Sequence, residues 1–219
     1  MAVKLVIQGL LDLLYPPTCE ICGKKAAEEN NIICENCFEK IIMITPVIPV
    51  KHNDISVWGI CAYEGVIKEC IHLFKYKARL RLLKPLGKIM TDFTNNYLKS
   101  KKFDIIVPVP LHRARLAERS FNQAELLAKN LPKYLNCRLD TKILKRTKNT
   151  ATQTGLSKTQ RANNLRGVFK MNTALAVEDK NILIVDDVFT TGSTIDECAK
   201  ILLKANAKSV EALVLAKGI

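Results

Sequence analysis

Two groups of residues in this chain carry chemistry. Four cysteines stand as Cys19-x2-Cys22 and Cys34-x2-Cys37, with eleven residues between the pairs. A Cys-x2-Cys turn converges two thiolates on one metal, and Gly23 directly after the first pair permits the tight turn. Two such turns supply the four sulfurs of a tetrahedral, structural zinc site. Redox dithiols or disulfides are the alternatives, and a chain with no evident secretory signal disfavours them. The second group is the segment Ile182-Leu-Ile-Val-Asp-Asp-Val-Phe-Thr-Thr-Gly-Ser-Thr194. An apolar strand ends there in two adjacent carboxylates, Asp186 and Asp187, and then runs through Thr190, Thr191, Gly192, Ser193 and Thr194. Hydroxyl donors, a glycine and free amides at a helix start are what phosphate binding requires. A carboxylate pair beside such a cradle suits sugar hydroxyls or a hydrated Mg2+. An ordinary capped strand–turn–helix explains the hydroxyls, but not two acids together at the end of a buried strand. No G-x-x-x-x-G-K-[ST] element is present, which argues against a Walker-type ATPase.

A third, basic group follows Pro108-Val-Pro110. Arg113, Arg115 and Arg119 come directly after that strand exit and can clamp pyrophosphate with forked hydrogen bonds, with His112 beside them. Lys75, Lys77, Arg79 and Arg81 alternate with Phe74, Tyr76, Ala78 and Leu80, so an extended segment shows four cations on one face. A helical segment spreads them further round. Arg146, Arg161 and Arg166 lie in a polar stretch, residues 145–167, whose length fits a lid or a tether for nucleic-acid phosphates.

These residues need elements to hold them. Periodicity predicts strands at 55–63, 103–109, 139–144, 167–170, 182–185 and 210–215, and helices at 66–76, 86–97, 117–131 and 195–203. Alternation of this kind implies an α/β fold with a mostly parallel sheet flanked by helices. Ligands then gather at the carboxyl ends of its strands. Apolar positions at 3, 6, 7, 10, 11 and 14 predict a docking helix stopped by Pro16-Pro17. That run is too short to span a bilayer, and no other approaches 18 apolar residues, so the expectation is a cytoplasmic chain without a membrane span. Residues 1–50 read as this helix plus the cysteine module, and 51–219 as the main domain. Cys61, Cys70, Cys137 and Cys198 sit among apolar neighbours as packing residues.

The 219 residues are 48% apolar and 25% charged, which excludes a disordered chain. The net charge of +13 is concentrated. Residues 68–119 hold 13 basic against 4 acidic groups and residues 133–170 hold 10 against 1. A basic middle of this kind favours polyanionic partners. Aromatic residues are only 6% of the chain, thin for single-strand stacking platforms.

The segment Ile182–Thr194 resembles the signature of type I phosphoribosyltransferases, which bind 5-phosphoribosyl 1-pyrophosphate (PRPP) with Mg2+. The resemblance implies that Asp186 and Asp187 hold the ribose hydroxyls and serve catalysis, and that Thr190 to Thr194 wrap the 5-phosphate. It implies that pyrophosphate lies at the turn carrying Pro108, Arg113 and Arg115, and that a mobile loop within 145–167 closes over the ligand. Taken with Tyr15-Pro-Pro17, the cysteine pairs, Pro108–Ala124 and the stretch from Arg146 through Gln153, Arg161, Asn164 and Arg166 to Phe169, the chain resembles the ComF/GntX family over essentially its whole length. Members join an N-terminal zinc-binding module to a phosphoribosyltransferase domain. The family implies DNA uptake during natural competence, with a DEAD-type helicase partner and contact with single-stranded DNA. Two functions stay open at this stage: a Mg2+-dependent transferase of phosphoribosyl to a nitrogenous acceptor, and a DNA-handling module that binds PRPP.

Overall fold

The computed structural model describes residues 18–24, 32–149, 167–172 and 177–218. The expected helix before Pro16-Pro17 and the residues Gln153, Arg161, Asn164 and Arg166 lie outside them.

The cysteine module contributes a short helix, α1 (Glu35–Glu39). A hairpin follows, β1 (Val50–His52) and β2 (Ile55–Ala62), leading into α2 (Gly65–Tyr76). After a 3-10 turn at Leu80–Leu82 come α3 (Leu83–Phe93), continued by a π-type turn, and β3 (Ile105–Pro108). Three short helices follow: α4 (Arg113–Arg119), α5 (Gln123–Ala128) and α6 (Pro132–Leu135). The chain ends with β4 (Arg138–Leu139), β5 (Leu144–Arg146), β6 (Phe169–Met171), β7 (Asn181–Phe189), α7 (Ser193–Lys204) and β8 (Ser209–Lys217).

Six strands form one sheet in the order β1-β2-β8-β7-β3-β4, parallel throughout except for antiparallel β1. The α/β class and the mostly parallel sheet are as the sequence predicts. The crossover from β3 leads to β4 on one side, and that from β7 leads to β8 on the other. The order therefore reverses between β3 and β7, and the crevice beyond their carboxyl ends is where such a sheet binds ligands.

Successive strand residues face opposite sides of a sheet. Leu183 and Val185 of β7 join the core that contains α2, α3 and the cysteine module. Ile182 and Ile184 join the core under α7 and β6. The central strands read as continuous apolar runs because both faces are covered.

Three expectations are corrected. The helix predicted over 117–131 is broken, because Ser120 turns left-handed at φ 65° and ends α4. Asn122 then caps α5, accepting from the Ala124 amide while its own amide donates to the Val109 carbonyl at 3.0 Å. The strand predicted over 139–144 divides at a turn in which Asp140 accepts from the Lys142 amide at 2.9 Å. Its first part, β4, stays in the main sheet, and its second, β5, pairs antiparallel with β6 in a separate two-stranded sheet. The predicted loop 145–167 therefore begins inside β5. The edge strand β1 was not expected from the pattern at all.

Candidate functional site

The paired cysteines converge as the spacing predicts. Gly23, at φ 70°, lets the first turn close, and the Gly23 amide donates to the Cys19 carbonyl at 2.9 Å. Cys34 caps α1 and Cys37 follows within it. A bond from the Glu20 amide to the Ile32 carbonyl holds the two knuckles side by side. The four sulfurs all lie within 4.8 Å of one another, and those of Cys22 and Cys34 are 3.7 Å apart. A tetrahedron with Zn–S bonds of 2.3 Å has edges of about 3.8 Å, so these residues fit the ion. Burial raises the Cys19 thiol, but the amides of Cys34, Cys22 and Ile21 outweigh it and bring the group down to about 6. Burial pushes Cys37 up to about 12. All four positions of such a site are filled by protein, so the ion would brace the fold.

At the carboxyl edge of the sheet, β7 delivers Asp186 and Asp187. The Asp187 amide donates to Asp186 Oδ1 at 2.8 Å. The Asp187 carboxylate is buried and meets the Lys75 ammonium at 2.8 Å. Burial would lower the Lys75 value, but Asp187 and Asp186 more than offset it and raise it. Asp186 is pushed up to about 7, by burial first and by the charge on Asp187 second. Tyr63, beyond the end of β2, belongs to the same cluster; burial raises its hydroxyl, and Lys75 opposes that.

The phosphate-type loop follows. Gly192 is left-handed at φ 82° and opens α7, and the hydroxyls of Thr191 and Ser193 bond at 3.0 Å. A Cβ at Gly192 would overlap the imidazole of His52, which lies edge-on to Phe189 at 5.0 Å. His52 and Asn53 bond both carboxylate oxygens of Asp196, at 3.0 and 2.9 Å. An acid in the first turn of α7 repels an anion held by that helix N-terminus, so occupying both of its oxygens favours the cradle.

The basic residues are distributed differently from the sequence expectation. Pro108 ends β3 at the crevice. His112 is the cap of α4, accepting from the Ala114 amide at 3.2 Å. Arg113 is exposed and lines a cavity of about 580 Å3 together with Leu116, Asn122, Leu144 and Arg146. Arg115 is partly buried, and Arg119 lies 4.9 Å over the Tyr76 ring. Burial and the Arg115 charge lower the Arg146 value, with Asp186 acting in the opposite direction. The structure thus brings Arg115, Arg119 and Asp186 near Arg146, and Arg146 belongs to this crevice.

The proposed extended face of four cations does not form. Lys75 is in the last turn of α2 and Lys77 caps it. Arg79 binds Glu20 of the cysteine module at 3.3 Å, and Arg81 lies in the 3-10 turn. The sequence pattern does not single out His52, Asn53 or Tyr63 as site residues. Contacts such as His52 to Asp196 span 144 residues and leave no local signal.

Residues 82–219 match the phosphoribosyl transferase domain family, and residues 10–48 match the double zinc ribbon domain. The DNA utilization protein YhgH of Escherichia coli K12 is 31% identical over 204 residues, covering 92% of this chain and 84% of that protein. The chain belongs to the ComF family of phosphoribosyl transferase domain proteins. Competence protein F of Haemophilus influenzae is 28% identical over 92% of this ComF-family chain and 85% of its own length. Competence protein ComFC of Bacillus subtilis is also 28% identical, over 91% of this chain and 78% of that one. No helix among the described residues is long and apolar enough to cross a membrane.

Two outcomes follow from this geometry. Metal analysis of the purified protein should find about one zinc per chain, and Cys22→Ser should release it and unfold the module, since binding energy at such sites is folding energy. Asp186 is raised from an ordinary 3.8 to about 7, so the stability it contributes is fully present below about pH 4 and lost as pH rises through 7. Asp186→Asn should therefore raise the melting temperature of the unliganded protein above pH 7, by a margin that shrinks towards pH 4.

Proposed function

We propose that this protein binds PRPP with Mg2+ in the crevice between β3 and β7 and acts on single-stranded DNA in competence-type DNA handling. The observation that carries the reading is the acid pair of β7 running into the Thr190–Thr194 loop at the N-terminus of α7. In this reading Asp186 and Asp187 accept hydrogen bonds from the ribose hydroxyls. Backbone amides and hydroxyls of Thr190, Thr191, Gly192, Ser193 and Thr194 receive the 5-phosphate. The Pro108 exit, Arg115 and Arg146 face the pyrophosphate, with Arg113 further out. Mg2+ held through the pyrophosphate would neutralise part of its charge. The chain's own residues position the ligand and balance charge, and no nucleophile is needed for that.

The DNA half of the reading is supported by relatives named for DNA utilization and for competence. It is also supported by a groove of about 710 Å3 lined by Arg81, Lys84, Lys88, Lys133 and Tyr134. Its single acid, Asp92, is already paired with Lys88 at 2.6 Å. A DEAD-type helicase partner and a cytoplasmic setting belong to the same proposal. The cavity beside Arg146 favours a second reading, in which phosphoribosyl passes from PRPP to a nitrogenous acceptor held there.

Calorimetry tests the first half: wild type should bind Mg-PRPP, and Asp186→Asn with Asp187→Asn should abolish the heat while the fold persists. Equal binding by both proteins would remove the assignment. For the second half, single-stranded DNA affinity should fall with salt at a log–log slope of roughly −0.7 per phosphate contact. Replacing Lys84 and Lys133 with Ala should flatten that slope by roughly 1.4. An unchanged slope would show that the groove takes no nucleic acid.

A further inference from the structure

The last turn of α2 is tied down at three consecutive residues. Phe74 is fully buried, its ring 5.3 Å from that of Phe121 in the turn between α4 and α5. Tyr76 lies 4.9 Å beneath the Arg119 guanidinium at the end of α4. Between them Lys75 reaches Asp187 at 2.8 Å. The lysine side chain is itself mostly buried, and its ammonium is committed to that carboxylate.

The same helix is anchored from the other side. Ile67, Cys70, Ile71 and Phe74 share a core with Cys19, Ile32, Ile33 and Cys37. Arg79, just beyond the helix, binds Glu20. Yet α2 lies between the two matched regions, 10–48 and 82–219, so neither family accounts for a residue on it.

A buried ion pair is a poor source of stability, because desolvating two charges offsets most of their attraction. At 19% and 8% side-chain exposure, Lys75 and Asp187 are such a pair. What the pair does accomplish is specific. It fixes one carboxylate of two adjacent acids and places a cation beside both in a dry crevice. The other acid, Asp186, is held by the Asp187 amide and faces Arg146.

We propose that Lys75 is a positioning residue of the PRPP site, holding the Asp187 carboxylate oriented for the ribose hydroxyls. This rests on the PRPP reading above and adds to it a residue from outside the stretch matched as phosphoribosyl transferase domain, 82–219. Lys75 therefore acts inside the crevice and not on a DNA backbone: an ammonium bound to Asp187 is not available to a phosphate.

The test uses the full-length protein and Mg-PRPP calorimetry. Lys75→Gln keeps a donor and removes the charge, and Lys75→Arg keeps the charge. Lys75→Gln should weaken Mg-PRPP binding roughly tenfold to hundredfold, as for a lost charge-assisted bond. Lys75→Arg should restore most of it, with zinc content close to wild type in both; Lys75→Gln, which leaves Asp187 buried without its cation, should also melt lower, and Lys75→Arg should recover that too. A lysine that only braces the fold would lower the melting temperature in Lys75→Gln while the folded protein kept wild-type Mg-PRPP affinity, and that result would overturn the proposal. So would wild-type PRPP binding by Lys75→Gln while Asp187→Asn binds none, which leaves the PRPP reading standing. If neither Lys75→Gln nor Asp187→Asn weakens binding, the PRPP reading itself falls. A flattened DNA salt slope in Lys75→Gln with PRPP affinity intact would reassign Lys75 to nucleic acid.

Discussion

Parallel pairing of β7 with β3 on one side and β8 on the other is the constraint from which the site follows. Register places Pro108 against Val185 and Asp186 against Val214, so the strands deliver their exits to one edge. The crossovers then depart in opposite directions and leave a crevice that neither covers. Everything with chemistry in the main domain sits around it: the acid pair, the Thr190–Thr194 loop, the Pro108 turn and the arginines of α4 and β5. Shifting β7 by one residue against its neighbours would exchange the faces of Asp186 and Asp187. That would separate Asp187 from Lys75 and Asp186 from Arg146.

The crevice is completed by a part of the chain that does little to identify itself. The hairpin β1–β2 brings His52 over Gly192, and α2 brings Lys75 to Asp187. Both lie between the stretches matched by the two families, 10–48 and 82–219, and α2 packs against the cysteine module and the strands of the main sheet. One helix is thus a wall of the ligand crevice and a floor for the cysteine module. The unliganded crevice is costly to the fold, because Asp186 is held in a setting that disfavours its charge. A site that spends stability in this way is common where a ligand is to supply the missing interactions.

Sequence made the chemistry legible wherever it depends on close neighbours. The Cys-x2-Cys spacing identifies four ligands whose sulfurs do converge. The run from Ile182 to Thr194 identifies a strand, an acid pair and a glycine that does adopt positive φ. Long buried strands and the helices α2, α3 and α7 were also legible, since apolar periodicity reports which face is covered. What escaped depends on distant partners or on single backbone angles. Ser120 carries no pattern that announces a left-handed turn inside an apolar repeat. The break between β4 and β5 is set by an Asp140 turn that periodicity averages away. Lys75 looks like one more exposed cation in a basic run until Asp187, 112 positions later, is brought beside it.

Amide hydrogen exchange on the full-length protein, with and without Mg-PRPP, tests the central claim most directly. The ligand should slow exchange at residues 190–196, with smaller protection in the last turn of α2 and at the β3 exit. The cysteine knuckles should be unchanged. Protection confined to the groove around Arg81, Lys84 and Lys133, or none at residues 186–196, would contradict it.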